Sequence, residues 1–556
     1  YARVTGVQTC ALPIYFTYHS RKEGVHGMRQ IRFDMGKVYK LPHPELKSYF
    51  GRQVTGSDEL ITTPFADSTD FWPDFEEWMS TVRTRLTDMP WLLKFENDMA
   101  AKVGPLSIMK PLVERLPKIE EYYTLSSAAA NAVDEEAVQA LISRWGGGHT
   151  LRMQTTDEAI HEMKKSTNSG SPYFTKRNVV LEGDNLGVVS RRGDHWFTRT
   201  PDGEFELMAT LGWRGQEGGP SVEDVKQRVL WMFPMDLNIQ EARLYNVLVH
   251  NGQHMQLVPT WRGPDDVDAR MTRLFESKAD EDYVVATDFT GFDQHFGTAC
   301  EDCAGRVYDG LFGTAADYQQ WRSEIYPAKW RIPMCYGWGK GYVGYHGMSS
   351  GSGGTNADET TVHSCFQLEA AIKSGKVLNA NSMCLGDDGV LSYPGINVDF
   401  VMQCYESHGQ EMNLDKQEVS RDGTTFLRRV YHKSYRLDGI NRGVYATSRA
   451  LGKLRFMERW HKDWGAEPVI VRALSIIENC RFHPLREEFL DFCLKRDAYR
   501  LGLDIPGFLT PEGFSARVKK AAAKGQLGYQ YIDGFNPRPA TTWWVYNALR
   551  ARANAV

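Results

Sequence analysis

The chain has 556 residues, 42% of them hydrophobic, with a net charge of −5 and a mean hydropathy of −0.45. That is enough apolar material for several cores, and no run of eighteen apolar residues offers a membrane span. An overall acidic balance excludes a simple basic nucleic-acid coat, although a basic channel inside an acidic protein remains open. Nine scattered cysteines exclude a disulfide scaffold and suit a reducing compartment, and Cys300-x-x-Cys303 lacks the second pair that a zinc site requires.

In chain order, residues 1–14, with Val4 to Ile14 at their centre, look like the translation of a sequencing-library adaptor and are expected to lie outside the fold. Residues 15–64 are basic and aromatic without a decisive motif. Phe71 to Arg144 predicts helices, from the spacing of Phe75, Trp78 and Met79 and from the amphipathic turns of Asp134 to Arg144. Ser169-Gly170-Ser171-Pro172 predicts a polar turn ahead of Tyr173, Lys176 and Arg177. Further on, Arg214 precedes a glycine-rich stretch and the run Lys226-Gln227-Arg228-Val229-Leu230-Trp231. Alternation puts Lys226 and Arg228 on one face of a strand and Val229 and Trp231 on the other. Such a cationic face can hold phosphate, or it can be a solvated edge.

Three segments carry the chemistry. Tyr283 to Asp288 is a strand-like run ending on an acid, with Asp293 five residues on. Ser350-Gly351-Ser352-Gly353-Gly354-Thr355-Asn356 is a flexible loop leading into a helix with Val362, Phe366 and Ala370 on one face and a stop near Gly375. It is not a dinucleotide fingerprint, since Asn356 stands where the third glycine should be, and Gly339-Lys340-Gly341 is not a triphosphate-cradling P-loop, since no Ser or Thr follows its Lys. Ser382 to Tyr393 predicts a β-hairpin with Gly386, Asp387 and Asp388 at its tip. Adjacent carboxylates repel unless a cation stands between them, and Mg²⁺ needs few carboxylate oxygens beside a phosphate; an ordinary solvated turn has the same composition. Val398 to Glu406 predicts a helix, Met412 to Glu418 contains Lys416, Thr424 to Val430 predicts a strand, and the chain from Tyr435 onwards predicts mostly helices.

Taken in order, D-x-x-x-x-D at Asp288 and Asp293, S-G-x-x-x-T at Ser350, Gly351 and Thr355, and G-D-D at Gly386 to Asp388 resemble motifs A, B and C of viral RNA-dependent RNA polymerases. The wording is most similar to the picobirnaviruses, with the partitiviruses next. The 99 residues between Asp288 and Asp387 leave room for the insertion and helix that the family carries there. The resemblance implies an α+β right-hand fold: an N-terminal extension over 1–64, fingers over 65–280, a palm with an antiparallel sheet flanked by helices over 281–433 (its 298–345 insert belonging to the fingers), and a mostly helical thumb and tail over 434–556. It implies two Mg²⁺ ions, replaceable by Mn²⁺, on Asp288, Asp387 and Asp388, and Lys416 as proton donor to the leaving group. By the same resemblance Asp293, Ser350, Thr355, Asn356, Lys226, Arg228 and Arg214 meet the nucleotide, and Ser169, Gly170, Pro172 and Gly351 meet the template.

The implied partners are RNA template and product duplex, ribonucleoside triphosphates and, inside a particle, capsid protein. The implied location is the virion interior or the host cytoplasm, with no membrane. One departure stands out: many of these enzymes place an Asn nine residues after the motif-B serine to recognise the ribose, and here that residue is Glu359. Asn356 or Glu359 is left to do that work. Two rivals share part of the pattern, a reverse transcriptase and a non-catalytic RNA-binding virion protein. The first usually sets an aromatic and a variable residue before its paired acids, where this chain has Leu385-Gly386.

Overall fold

The computed structural model describes residues 27–554 except 68–69, 461–463 and 528–537. The adaptor-like segment and the tail aromatics Tyr529, Tyr531 and Phe535 fall outside the described residues. The fold mixes helices with several small sheets. Among the described residues no helix is long and apolar enough to cross a membrane, and eight free cysteines are all buried.

Four of the sheets are built from fourteen strands. They are β1 (Arg29–Arg32), β2 (Val188–Arg192), β3 (His195–Thr200), β4 (Gly203–Leu207), β5 (Ala209–Gln216), β6 (Lys226–Met232), β7 (Val284–Thr287), β8 (Met334–Gly337), β9 (Lys340–Val343), β10 (Met383–Leu385), β11 (Asp388–Leu391), β12 (Glu418–Ser420), β13 (Gly423–Phe426) and β14 (Arg429–His432). One sheet runs β1-β9-β8-β5-β6, so the stretch after Thr298 returns to join strands laid down before residue 233. A second sheet runs β10-β11-β7-β12, antiparallel throughout. β7 is buried at all four positions, which is why its sequence reads as a continuous apolar run rather than an alternation.

The long helix Thr355–Lys373 covers this second sheet. Val362, Phe366 and Ala370, spaced four apart, are fully buried in the main core. The helix ends at Gly375, whose φ of +65° lets the chain turn off.

A separate core joins Phe65 to Leu106 with the C-terminal helices up to Leu549. The helices Phe71–Arg85 and Pro90–Ala100 therefore pack with the end of the chain and with β14, not with β2 to β6. Upstream, β1 pairs with β9 while Thr63 donates its backbone N–H to the Arg455 carbonyl, so the N-terminal stretch spans from one core to the other.

Candidate active site

The sheet register fixes where the acids stand. Thr287 pairs with Gly389 across β7 and β11, so one step further Asp288 and Asp388 face each other where the two strands end. Gly386 and Asp387 form the two-residue turn between β10 and β11, with Gly386 at φ +60°. All three aspartates reach solvent at a cleft. Burial is the first cause that pushes each of their pKa values up. It acts on Asp288 against the pull of Lys416, Lys102 and Lys226, on Asp387 together with the Asp293 charge, and on Asp388 together with Asp387, to about 7. Hard oxygen donors that resist ionising together fit a divalent cation of the Mg²⁺ type.

Cations face this trio. Lys226 and Arg228 are exposed on one face of β6 while Val229 and Trp231 are buried on the other, as alternation predicts. Arg228 stands 3.7 Å from Asp293. Arg214, directly across from Arg228 in the β5–β6 ladder, is instead paired with Glu458 at 3.2 Å. Lys416 is exposed, with its charge acting on Asp288.

The loop before the long helix touches both sides. A Cβ on Gly351 would stand 1.6 Å from the Trp231 carbonyl oxygen, so only glycine lets the loop lie against β6. The Ser350 hydroxyl is buried without a hydrogen-bond partner. The Thr355 hydroxyl, by contrast, bonds the carbonyls of Ser349 and Ser352 at 3.3 and 3.1 Å, and exposed Asn356 accepts the Trp261 indole N–H on its Oδ1 at 2.9 Å with its Nδ2 toward Gly386. Glu359 is 7% exposed and stands between Asp293 and the Gly386 turn, its Oε2 only 3.1 Å from where a Cβ on residue 386 would lie.

The model of the viral RNA-dependent RNA polymerase family matches residues 149–445. A potential RNA-dependent RNA polymerase of human picobirnavirus (strain Human/Thailand/Hy005102/-) is 45% identical over 526 residues, covering 93% of this chain and 98% of the relative. The crystal structures of the RNA-dependent RNA polymerase of a human picobirnavirus and of its insertion-loop deletion mutant match with TM-scores of 0.88 and 0.87 at 44% identity, over 94% of this chain and all of theirs. This chain belongs to the viral RNA-dependent RNA polymerases.

Several residues that support the site in this polymerase carry no motif. Gln417 clasps Asp288 by its backbone, accepting the Asp288 N–H at 3.0 Å and donating to the Asp288 carbonyl at 2.9 Å. His363 is buried and pulled down to about 4, so it is neutral; its Nδ1–H donates to the Gly386 carbonyl at 2.9 Å and its Nε2 accepts from the Thr287 hydroxyl at 3.3 Å. Thr360 accepts the Gly386 N–H at 3.0 Å, and Gln367 donates to the carbonyls of Met383 and Val390 at 3.2 and 3.3 Å. Residues 360, 363 and 367 form one polar helix face, so the long helix sets the hairpin that bears the acids.

Two expectations need correction. The turn at Ser169, Gly170 and Pro172 is buried, not a surface loop: Ser169 pairs with Thr175 and Met235 through the backbone, and a Cβ on Gly170 would crowd the Phe233 carbonyl at 3.0 Å. Its side chains face protein, and Lys176 is the exposed cation beside it. The strand expected over Thr424 to Val430 is a hairpin, β13 and β14, turning at Leu427 and Arg428 with φ of +49° and +63°. Left-handed non-glycine residues are strained, which is why no turn signal marks them.

Proposed function

We propose that this polymerase copies RNA through a right-hand arrangement whose palm is the β10-β11-β7-β12 sheet with its covering helix. The sheet that gathers β1, β5, β6, β8 and β9 supports a fingers assignment for both residues 107–280 and the 298–345 insert. The shared core of 65–106 with the C-terminal helices moves those early residues from the fingers to the thumb. Residues 29–64 act as the strap between the two.

The observation that carries the mechanism is the convergence of Asp288, Asp387 and Asp388 at adjacent strand ends, opposite Lys226 and Arg228. Asp288 and Asp387 would hold two Mg²⁺ ions, or Mn²⁺ in their place, with Asp388 a lesser contributor. When bound, such ions lower the pKa of the primer 3′-hydroxyl and offset charge on the leaving group. Arg228 and Lys226 steady the triphosphate, and Lys416 stands where it can give a proton to departing pyrophosphate. Arg214 holds Glu458 and contributes less.

On the sugar side we assign Ser350, Asp293, Asn356 and Glu359. The Thr355 hydroxyl bonds the loop's own carbonyls and so supports the loop, while exposed Asn356, with its Nδ2 toward Gly386, stays among the sugar contacts. Gly351 serves the template side by letting the loop meet β6. Base choice comes from pairing with the template, because nothing in the three motifs reads a base edge. The substrates are an RNA template, its product duplex and ribonucleoside triphosphates, with capsid protein a neighbour in the virion or the host cytoplasm as the compartment.

A primed-template extension assay with labelled ribonucleotides tests this reading. Asp387→Asn should stop synthesis and leave RNA retention unchanged; continued elongation by that variant would refute the metal assignment.

A further inference from the structure

The loop Ser349–Gly354 has neither helix nor strand to hold it, yet it is fixed from below by a fully buried charge cluster. Lys329, in the short helix Ala328–Arg331, is 0% exposed. Its ammonium lies 2.7 Å from Asp358 Oδ2 and 3.8 Å from Glu241 Oε1, both also fully buried. It bonds the Tyr245 hydroxyl and sits 4.4 Å from that ring, with Tyr326 and Trp330 at 5.1 and 5.2 Å. Tyr245 and Tyr308 hydroxyls donate to Asp358 at 2.9 and 2.6 Å.

Each member of the cluster reaches a different point of the loop. The Lys329 carbonyl accepts the Ser349 hydroxyl at 2.8 Å and the Ser349 N–H at 3.2 Å. Glu241 accepts the Ser352 hydroxyl at 2.6 Å and the Gly353 N–H at 2.9 Å, and Asn238 shares that N–H at 3.0 Å. Asp358 lies in the first turn of the long helix that comes next. The loop is thus gripped on both sides of Ser350 and Gly351, and Ser350 keeps an unpartnered hydroxyl.

Stability alone is a poor reason for such a cluster. Replacing a buried ion pair by apolar side chains of similar volume is often neutral or stabilising, whereas directional bonds fix atoms in one place. Two carboxylates share one ammonium, and burial pushes Glu241 up.

We propose that Lys329, Glu241 and Ser352 are positioning residues that set where Ser350 stands, and thereby tune ribonucleotide affinity and the choice of ribose over deoxyribose. None of them touches the substrate. The inference rests on the proposed reading of the loop as a nucleotide contact, so Ser350→Ala is the control for that reading.

The test is single-nucleotide incorporation with a ribonucleotide and its 2′-deoxy analogue, together with thermal midpoints, for Ser352→Ala, Glu241→Ala, Glu241→Gln and Ser350→Ala. Ser352→Ala and Glu241→Ala should raise KM for the ribonucleotide on the order of tenfold and narrow the ribose preference, since each removes a charge-assisted bond. Glu241→Gln keeps an acceptor for Gly353 and a partner for Ser352, and should stay within about twofold of wild type in both measures. If Ser352→Ala and Glu241→Ala shift only the thermal midpoint, the cluster is core packing and the inference falls. If Glu241→Ala does not fold, Ser352→Ala decides alone. An unchanged KM in Ser350→Ala would instead defeat the nucleotide-contact reading, and the inference with it.

Discussion

Gln417→Ala isolates how much of the metal site depends on a residue with no chemistry of its own. The side chain makes three bonds, two to the Asp288 backbone at 2.9 and 3.0 Å and one to the Asn413 carbonyl at 2.8 Å. It is only half-buried, so water replaces the lost partners, and the cost in stability is about 0.5–1.5 kcal/mol per bond, or about 1.5–4.5 kcal/mol in all. The effect on metal should be larger in proportion. Asp288 lies just past the end of β7 and before the bridge of Phe289 with Met412, and the clasp is what ties its own N–H and carbonyl between the two. Loss of a partner that orients a ligand typically weakens metal affinity roughly 10–100-fold. The assay is extension rate against Mg²⁺ concentration: the midpoint should rise by that factor while saturating Mg²⁺ restores most of the rate. Gln417→Glu should do worse, because a carboxylate cannot donate to the Asp288 carbonyl and adds repulsion. A variant with an unchanged Mg²⁺ midpoint would refute the claim that the clasp sets Asp288.

Asp387→Asn should cut extension by more than about a hundredfold with RNA binding intact in a gel-shift measurement. Arg228→Ala should raise KM for ribonucleotides roughly tenfold, read in the same extension assay at varied nucleotide concentration. The raised carboxylate values make a pH prediction. Between its ordinary value of 3.8 and about 7, folded Asp388 holds a proton that the unfolded chain has lost, so metal-free stability falls as pH rises through that window. Mg²⁺ should therefore release protons near about pH 6–7, and raise the thermal midpoint more at about pH 8 than at about pH 5; calorimetry in buffers of different ionisation enthalpy measures the release.

What was legible in the sequence was what local chemistry determines. The hairpin of β10 and β11 follows from two apolar runs around a Gly-Asp turn, and β7 from an apolar run closed by an acid. The cationic face of β6 follows from strict alternation, and the long helix from Val362, Phe366 and Ala370. What was hidden depends on distant partners. Nothing around Gln417 says that it folds back on Asp288, and nothing in Phe71 to Ala100 says that its apolar face meets helices near the far end of the chain. Ser169 to Pro172 reads as a solvated turn because its composition is polar, while its burial comes from Phe233 and Met235, some sixty residues on. The polar face of Thr360, His363 and Gln367 was visible as helical spacing in the sequence, but only a hairpin laid across it shows its use.

The departure at Glu359 is the sharpest case, since an acid stands where many relatives have an amide. The Asn356 Oδ1 accepts from Trp261, while its Nδ2 lies 4.0 Å from where a Cβ on Gly386 would stand, so its amide still faces the turn that bears the acids. Burial, then the Asp293 charge and a hydrogen bond with Asp293, push Glu359 well above the ordinary carboxyl range. A protonated carboxyl has one donor, which Asp293 takes, and leaves an acceptor for a ribose hydroxyl, as the oxygen of an amide would. Ionisation would instead set a negative charge beside Asp293 and Asp387, with Arg228 as the opposing cation. Because the folded-state value is raised, protonated Glu359 persists from its ordinary value upward and is lost only as pH climbs through the higher one. Glu359→Gln should therefore match the ribose preference of the protonated wild type and hold it as pH rises through the range where the wild type loses it. Incorporation of matched ribo- and deoxyribonucleotides across pH measures this, and a glutamine variant with no ribose preference at neutral pH would show that the ionised acid, not the neutral one, faces the sugar.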